Sequence, residues 1–209
     1  MPDEQQETED IKRRWDRIYQ KIPLESIPWE EGKPSPQLVE LIQSGLVEKG
    51  PVLDICSGSG NNAVYLAEQG FTCFGIDISP TAISYARRKA AEASVTCELT
   101  AGNAITLPYP DESFTLVFDR GCFHSISPGK RKTFIRGIHR VLKQGGKYQL
   151  ICFSSKDHPA YGVPYSFSPK EIRELFSPLF VIHYIRELPT GTHGFRDYFL
   201  SVLMEKQSS

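Results

Sequence analysis

The 209-residue sequence has no surplus of charge, with 24 Lys and Arg against 25 Asp and Glu and a formal net charge of -1. Non-specific grip on a polyanion needs clustered cations, so a nucleic-acid partner is not expected. The short basic runs Arg87-Arg88-Lys89 and Lys130-Arg131-Lys132 read as solvated helix faces. No apolar stretch approaches the roughly 18 residues of a membrane span, and the acidic start MPDEQQETED lacks the apolar segment of a signal peptide. No membrane partner and a cytoplasmic location are the expectation. The five cysteines form no CxxC pair and leave one over under any pairing, as expected of reduced thiols in a cytosol. No His/Cys/carboxylate cluster has metal-ligand spacing, so no metal is expected. Nothing in the sequence speaks to oligomeric state.

What is present is an ordinary globular mix, 40% apolar and 23% charged, of a length that suits one domain. Ile11, Trp15, Ile18, Tyr19 and Ile22 recur at helical spacing and predict an amphipathic helix. The Pro-rich stretch from Pro23 to Pro36 must be extended, and a second helix runs from about Gln37 to Ser44, ending at Gly45. From Pro51, short apolar runs alternate with helical patterns: PVLDIC, NNAVYLAEQG, TCFGID, PTAISYARRKAAEA, VTCELT, FTLVFD, a helix from about Lys130 to Leu142 stopped at Gly145-Gly146, then KYQLICF. That alternation predicts an α/β fold with a parallel sheet covered on both faces. The last pair, LFVIHYIREL and RDYFLSVLME, is separated only by PTGTHGF, too short for a helical crossover, and predicts an antiparallel hairpin. His183 within it reads as structural.

The stretch VLDICSGSGNN carries the chemistry. Gly58-Ser59-Gly60-Asn61-Asn62-Ala63 satisfies G-x-G-x-x-A between a strand and a helix, the context of a nucleotide-cofactor loop. Asp77 ends the next strand at the distance where such sites hold ribose hydroxyls, the favoured role; the alternative is a cap for the helix that starts at Ser79-Pro80. A pyrophosphate cofactor would sit on the helix N-terminus, where the carboxylate of Asp54 would repel it. S-adenosylmethionine has no phosphate and carries an ammonium and a sulfonium, to which that acid is suited.

VLDICSGSGNNAVYLAEQG, GIDIS, GNAITLPYPDESFTLVFDRGCFH and VLKQGGKYQLICFS together resemble, in order, the successive motifs of the class I (Rossmann-like) S-adenosylmethionine-dependent methyltransferases. The N-terminal WDRIY and PWEEGKPSPQL also resemble the thiopurine, thiol and halide methyltransferases and related metalloid-detoxifying enzymes, over a shorter span. The resemblance implies a doubly wound, mostly parallel seven-stranded sheet of order 3-2-1-4-5-7-6 with an antiparallel last strand. It also implies a single methyltransferase domain over residues 1–209, with 1–50 a helical lid and 51–209 the Rossmann-like core. S-adenosyl-L-methionine is the implied cofactor and S-adenosyl-L-homocysteine the product.

By the same resemblance Trp29, Asp54, Cys56, Gly58, Gly60, Asn62, Asp77, Ile78, Asn103, Ala104 and Asp119 border the cofactor, with Asn103 at the adenine amino group and Asp119 near the methionine moiety. Cys56 departs from the family's D-x-G-x-G-x-G loop by replacing its first Gly, and ordinary β geometry is expected there. The acceptor pocket is expected from Trp29, His124, Tyr161 and His193, with His124 contacting the acceptor or taking its proton. A small-molecule acceptor, a thiol or other soft nucleophile, is the favoured reading. The rivals are a nucleic-acid or protein methyltransferase, an NAD-dependent oxidoreductase, and a non-catalytic binder of S-adenosylmethionine.

Overall fold

The computed structural model describes residues 4–156, 165–189 and 198–207. Its seven strands are β1 (Pro51–Ile55), β2 (Thr72–Asp77), β3 (Cys97–Ala101), β4 (Phe114–Arg120), β5 (Leu142–Phe153), β6 (Phe180–Pro189) and β7 (Tyr198–Lys206). They form one sheet in the order β3-β2-β1-β4-β5-β7-β6. The strands from β3 to β5 are parallel. β7 runs antiparallel to both β5 and β6, so the expected order and the reversed last strand are both present.

The helices are α1 (Glu4–Lys21), α2 (Pro36–Gln43), α3 (Asn61–Glu68), α4 (Pro80–Glu92), α5 (Arg131–Val141) and α6 (Pro169–Phe176). Side chains alternate across β1: Leu53 and Ile55 join one buried cluster with Phe134, Ile138, Ile172 and Phe176, whereas Val52 joins another with Ala63, Leu66, Ile83 and Ala86. This alternation is why the strands read as continuous apolar runs, since both faces are covered. Pro80 at the first turn of α4 and Ser79 at its cap, accepting from Ala82 N at 3.0 Å, fix where that helix begins.

Two local expectations are corrected. α5 ends at Val141, and Gly145 and Gly146 lie inside β5 beside a register shift between Phe114 and Leu116. The Pro23–Pro36 stretch is not extended throughout, because Leu24–Ser26 closes into a 3-10 turn. α1 is amphipathic as expected: Tyr19 is buried and packs with Ile18, Ala82 and Tyr85 where α1 lies on α4, while Ile11 and Ile22 are each 39% exposed. Among the described residues, no helix is long and apolar enough to cross a membrane.

Candidate active site

In an open α/β sheet, ligands bind beyond the carboxyl ends of the strands where the strand order reverses. Here that point lies between β1 and β4. The loop leaving β1 turns through Gly58 (φ 54°) and Gly60 (φ 85°), both in the left-handed region. A Cβ on Gly58 would stand 2.8 Å from the Tyr19 hydroxyl, and one on Gly60 would stand 2.7 Å from the Ala86 Cβ. Glycine is thus needed twice, for backbone angle and for close approach.

Three buried acids surround this crevice: Asp54 in β1, Asp77 ending β2 and Asp119 near the end of β4. Burial lifts Asp54 well above the usual carboxylate range, helped by repulsion from Asp77. Burial likewise raises Asp77 to about 6 and Asp119 to about 7, against opposing hydrogen bonds. Asp77 accepts from Gly58 N at 3.0 Å and from Ser79 N at 2.8 Å, so it braces the glycine loop and the start of α4 together. Asp119 accepts from Tyr148 OH at 2.8 Å and from Cys122 N at 2.9 Å. Its carboxylate therefore orders the loop after β4.

Among the described residues, four buried side-chain polar atoms have no hydrogen-bond partner: Asp54 Oδ2, Ser57 Oγ, His124 Nδ1 and Tyr109 OH. The first three stand on the two strands and loops that flank the crevice. Orphaned buried acceptors are costly unless a ligand completes them. An ammonium-bearing ligand fits Asp54, whose ionised form its charge would favour, whereas a diphosphate would push all three acids still further toward their neutral form.

His124 sits in a short 3-10 turn, Phe123–Ser125, and is buried against Phe153 with ring centroids 4.4 Å apart. Burial, with the positive charge of Arg120, lowers it to about 3 and keeps it neutral. Asn103 accepts from Ile105 N at 2.9 Å, as a turn residue does; an amide oxygen has a second lone pair for another donor. Ala104 is buried beside it and Ile78 half-buried beside Asp77. The side-chain oxygen of Asn62 accepts from Ser35 N at 2.8 Å. Tyr161 and His193 lie outside the described residues.

Cys56 departs from expectation. Its φ is 54°, the left-handed region rather than β geometry, and its sulfur is bonded to Cys122 across a Cα–Cα distance of 5.5 Å. The expectation of reduced thiols holds for Cys73, Cys97 and Cys152 and fails for this pair, because adjacency of β1 and β4 brings residues 66 apart together.

Several residues that secure the site were not singled out in the sequence. Glu30, its side chain only 6% exposed, accepts from Ser59 N and Asn61 Nδ2, each at 3.2 Å, from Ser59 Oγ, and from Tyr19 OH at 3.2 Å. Lys89 donates to Ser59 Oγ and to Asn61 Oδ1 and lies 3.8 Å from Glu30, so it is an inward brace and not part of a solvated face. Asp16 caps α4 by accepting from Ser79 Oγ at 2.6 Å and Thr81 N at 2.8 Å. Trp29, 38% exposed, donates to Tyr19 OH at 3.0 Å, while Arg120 donates to Trp29 O and pairs with Glu31. The N-terminal segment is thus fastened over the loops that follow β1, β2 and β4.

Comparison with known proteins agrees with this fold. Residues 52–146 match a family model described as a methyltransferase domain. The chain is similar to a 2-heptyl-1-hydroxyquinolin-4(1H)-one methyltransferase of Mycobacteroides abscessus, 30% identical over 198 residues, covering 91% of this chain and 87% of that protein. It is similar to a probable thiol methyltransferase 2 of Arabidopsis thaliana, 29% identical over 161 residues, covering 73% of this chain and 67% of that protein. In structure it matches a 1,6-didemethyltoxoflavin-N1-methyltransferase of Burkholderia thailandensis, solved with 1,6-didemethyltoxoflavin and S-adenosylhomocysteine. That match has TM-score 0.81 and 19% identity over 100% of this chain and 92% of that one.

Proposed function

Because the chain belongs to the S-adenosylmethionine-dependent methyltransferase family, we propose that it methylates a small-molecule acceptor, with a thiol or another soft nucleophile favoured, and that residues 1–209 act as one unit in which 1–50 is the lid. When bound, S-adenosylmethionine supplies an electrophilic sulfonium methyl. The observation that carries the reading is the trio of buried acids, with Asp54 Oδ2 unpartnered. Asp54 holds the amino group of the cofactor, Asp77 its ribose hydroxyls, and Asn103 with Ala104 its adenine edge. The backbone at Gly58 and Gly60, with Cys56, Asn62, Ile78 and Asp119, forms the surrounding wall, and Trp29 covers it.

An in-line displacement asks the protein to align and to exclude water. His124, neutral above about pH 3, can accept a hydrogen bond from an acceptor X–H but cannot hold its proton at neutral pH, so it orients the nucleophile. A thiol needs little more, since its reference pKa near 8.5 leaves some thiolate at neutral pH. The fastened lid supports an acceptor small enough to be enclosed. A planar heteroaromatic acceptor is the second reading, favoured by the aromatic wall of His124, Phe153 and Phe199, with the two phenylalanine rings stacked at 4.6 Å. The hydroxyquinolone-methylating relative points the same way.

A radiolabelled-methyl screen over thiols, halides, phenols, amines, metalloids and hydroxyquinolones tests both. Labelled small-molecule product is expected. Cofactor binding with no labelled product from any acceptor would make the chain a non-catalytic binder, and label found in RNA alone would overturn the acceptor class.

A further inference from the structure

The Cys56–Cys122 bond ties together the ends of the two strands that flank the crevice. Cys56 is the first residue past β1 and Cys122 the second past β4, and these two strands flank the reversal of strand order where the ligand binds. Were the pleat of β1 continued, the Cys56 side chain would join the face of Val52 and Asp54. It packs instead with the cluster of Leu53 and Ile55, to which Cys122 belongs. That reversal is the left-handed turn at φ 54°, a conformation that residues other than Gly, Asn and Asp seldom adopt. From this turn Ser57 N reaches Ile76 O at 3.0 Å and Gly58 N reaches Asp77, so the angle at Cys56 sets where the glycine loop lies.

We propose that Cys56 and Cys122 form a thiol–disulfide exchange site for small-molecule disulfides of the glutathione type, and that the bond preorganises the loop for its cofactor. This rests on the reading of that loop as cofactor-binding. The dithiol has no covalent tie on Cys56, which relaxes toward ordinary φ, and cofactor binding must then restore the left-handed turn. The disulfide holds that turn in advance, and preorganisation of this kind strengthens binding. In the exchange, Cys56, half-buried where Cys122 is buried, loses its proton and attacks one sulfur of the small disulfide. The S–S bond breaks and the first small thiol leaves with that proton. The Cys122 sulfur then attacks the Cys56 sulfur of the mixed disulfide and expels the second small thiol, which takes the Cys122 proton. Two protein thiols are oxidised and one disulfide is reduced to two thiols.

The test is calorimetric titration with S-adenosylhomocysteine on protein treated with glutathione disulfide or with a phosphine reductant, each form verified by thiol counting after denaturation. Five cysteines less one bond give three titratable thiols when oxidised and five when reduced. The oxidised form is expected to bind roughly 5- to 30-fold more tightly, the span that a left-handed non-glycine residue sets. Cys56→Gly should lose the redox dependence and show one affinity with or without reductant, whereas Cys122→Ser should bind like the reduced form under reductant and stall with glutathione disulfide as a Cys56–glutathione mixed disulfide, read by mass spectrometry. Equal affinities in the verified forms, or five thiols persisting after glutathione disulfide, would overturn the proposal. Absence of binding in every form including Cys56→Gly would overturn the cofactor reading of the loop with it.

Discussion

At the scale of single residues, the acids differ in what each can lose. Asp54 has an unpartnered oxygen, so Asp54→Asn should leave the fold intact and weaken binding of S-adenosylmethionine by about 1.5–3 kcal/mol, the usual loss for a hydrogen bond to a charged group; calorimetry reads it directly. Asp77 already serves two backbone donors. Asp77→Ala should therefore lower stability as well as affinity, by roughly 1–3 kcal/mol for each N–H left buried and unpaired, measured by denaturant unfolding. For His124 the sign runs from its depressed value. An imidazole buried neutral contributes stability that is full above the unfolded pKa near 6.5 and is lost as pH falls toward about 3. The stability difference between wild type and His124→Asn should shift against wild type by about 1.4 kcal/mol per pH unit below 6.5, checked by urea titrations at pH 7, 6 and 5. The left-handed turns at Gly58 and Gly60 were legible because a glycine loop is written in consecutive residues, and the buried position of Asp77 because it ends the next apolar run. The φ of Cys56 was not, since a single non-glycine residue gives no sign that a distant partner will hold it in the left-handed region.

At the scale of elements, the N-terminal segment and the glycine loop behave as one body, with Glu30 as the pin. Glu30→Ala would remove one partner each from Lys89, Asn61 and the Tyr19 hydroxyl at once. Accelerated proteolysis within residues 22–35 is expected because the N-terminal segment is loosened, and, if that segment is the proposed lid, a rise in the acceptor KM larger than any change in kcat. Asp16→Ala should instead act on the start of α4, at a cost of about 0.5–2 kcal/mol as for other lost caps. Strands and helices from β1 to β5 were readable from alternation and turn residues. The anchoring set of Asp16, Tyr19, Glu30 and Lys89 was not, because each of these residues bonds across 10 or more positions. In a local window such residues look like any solvated helix or loop position.

For the whole molecule, the resemblance of motifs to a known family was enough to name the strand order, and the sheet has it. The covalent tie between residues 66 apart was beyond reach, since pairing cannot be deduced from cysteine spacing. On a loop-entropy basis that tie should add about 4 kcal/mol to unfolding stability, so the oxidised protein should melt several degrees above the reduced one in calorimetry. The reversed strand β7 has a consequence of another kind. Phe199 in β7 pairs with Phe153 at the end of β5, and Tyr198 with Pro189 at the end of β6, so the ends of β5 and β6 and the start of β7 lie at the edge where the glycine loop also opens. One half of the sheet can then keep its donor-facing loops fixed while the other varies its rim in length and composition. A scaffold of this design can change its rim beyond β5, β6 and β7 while the strand order that presents the glycine loop stays the same.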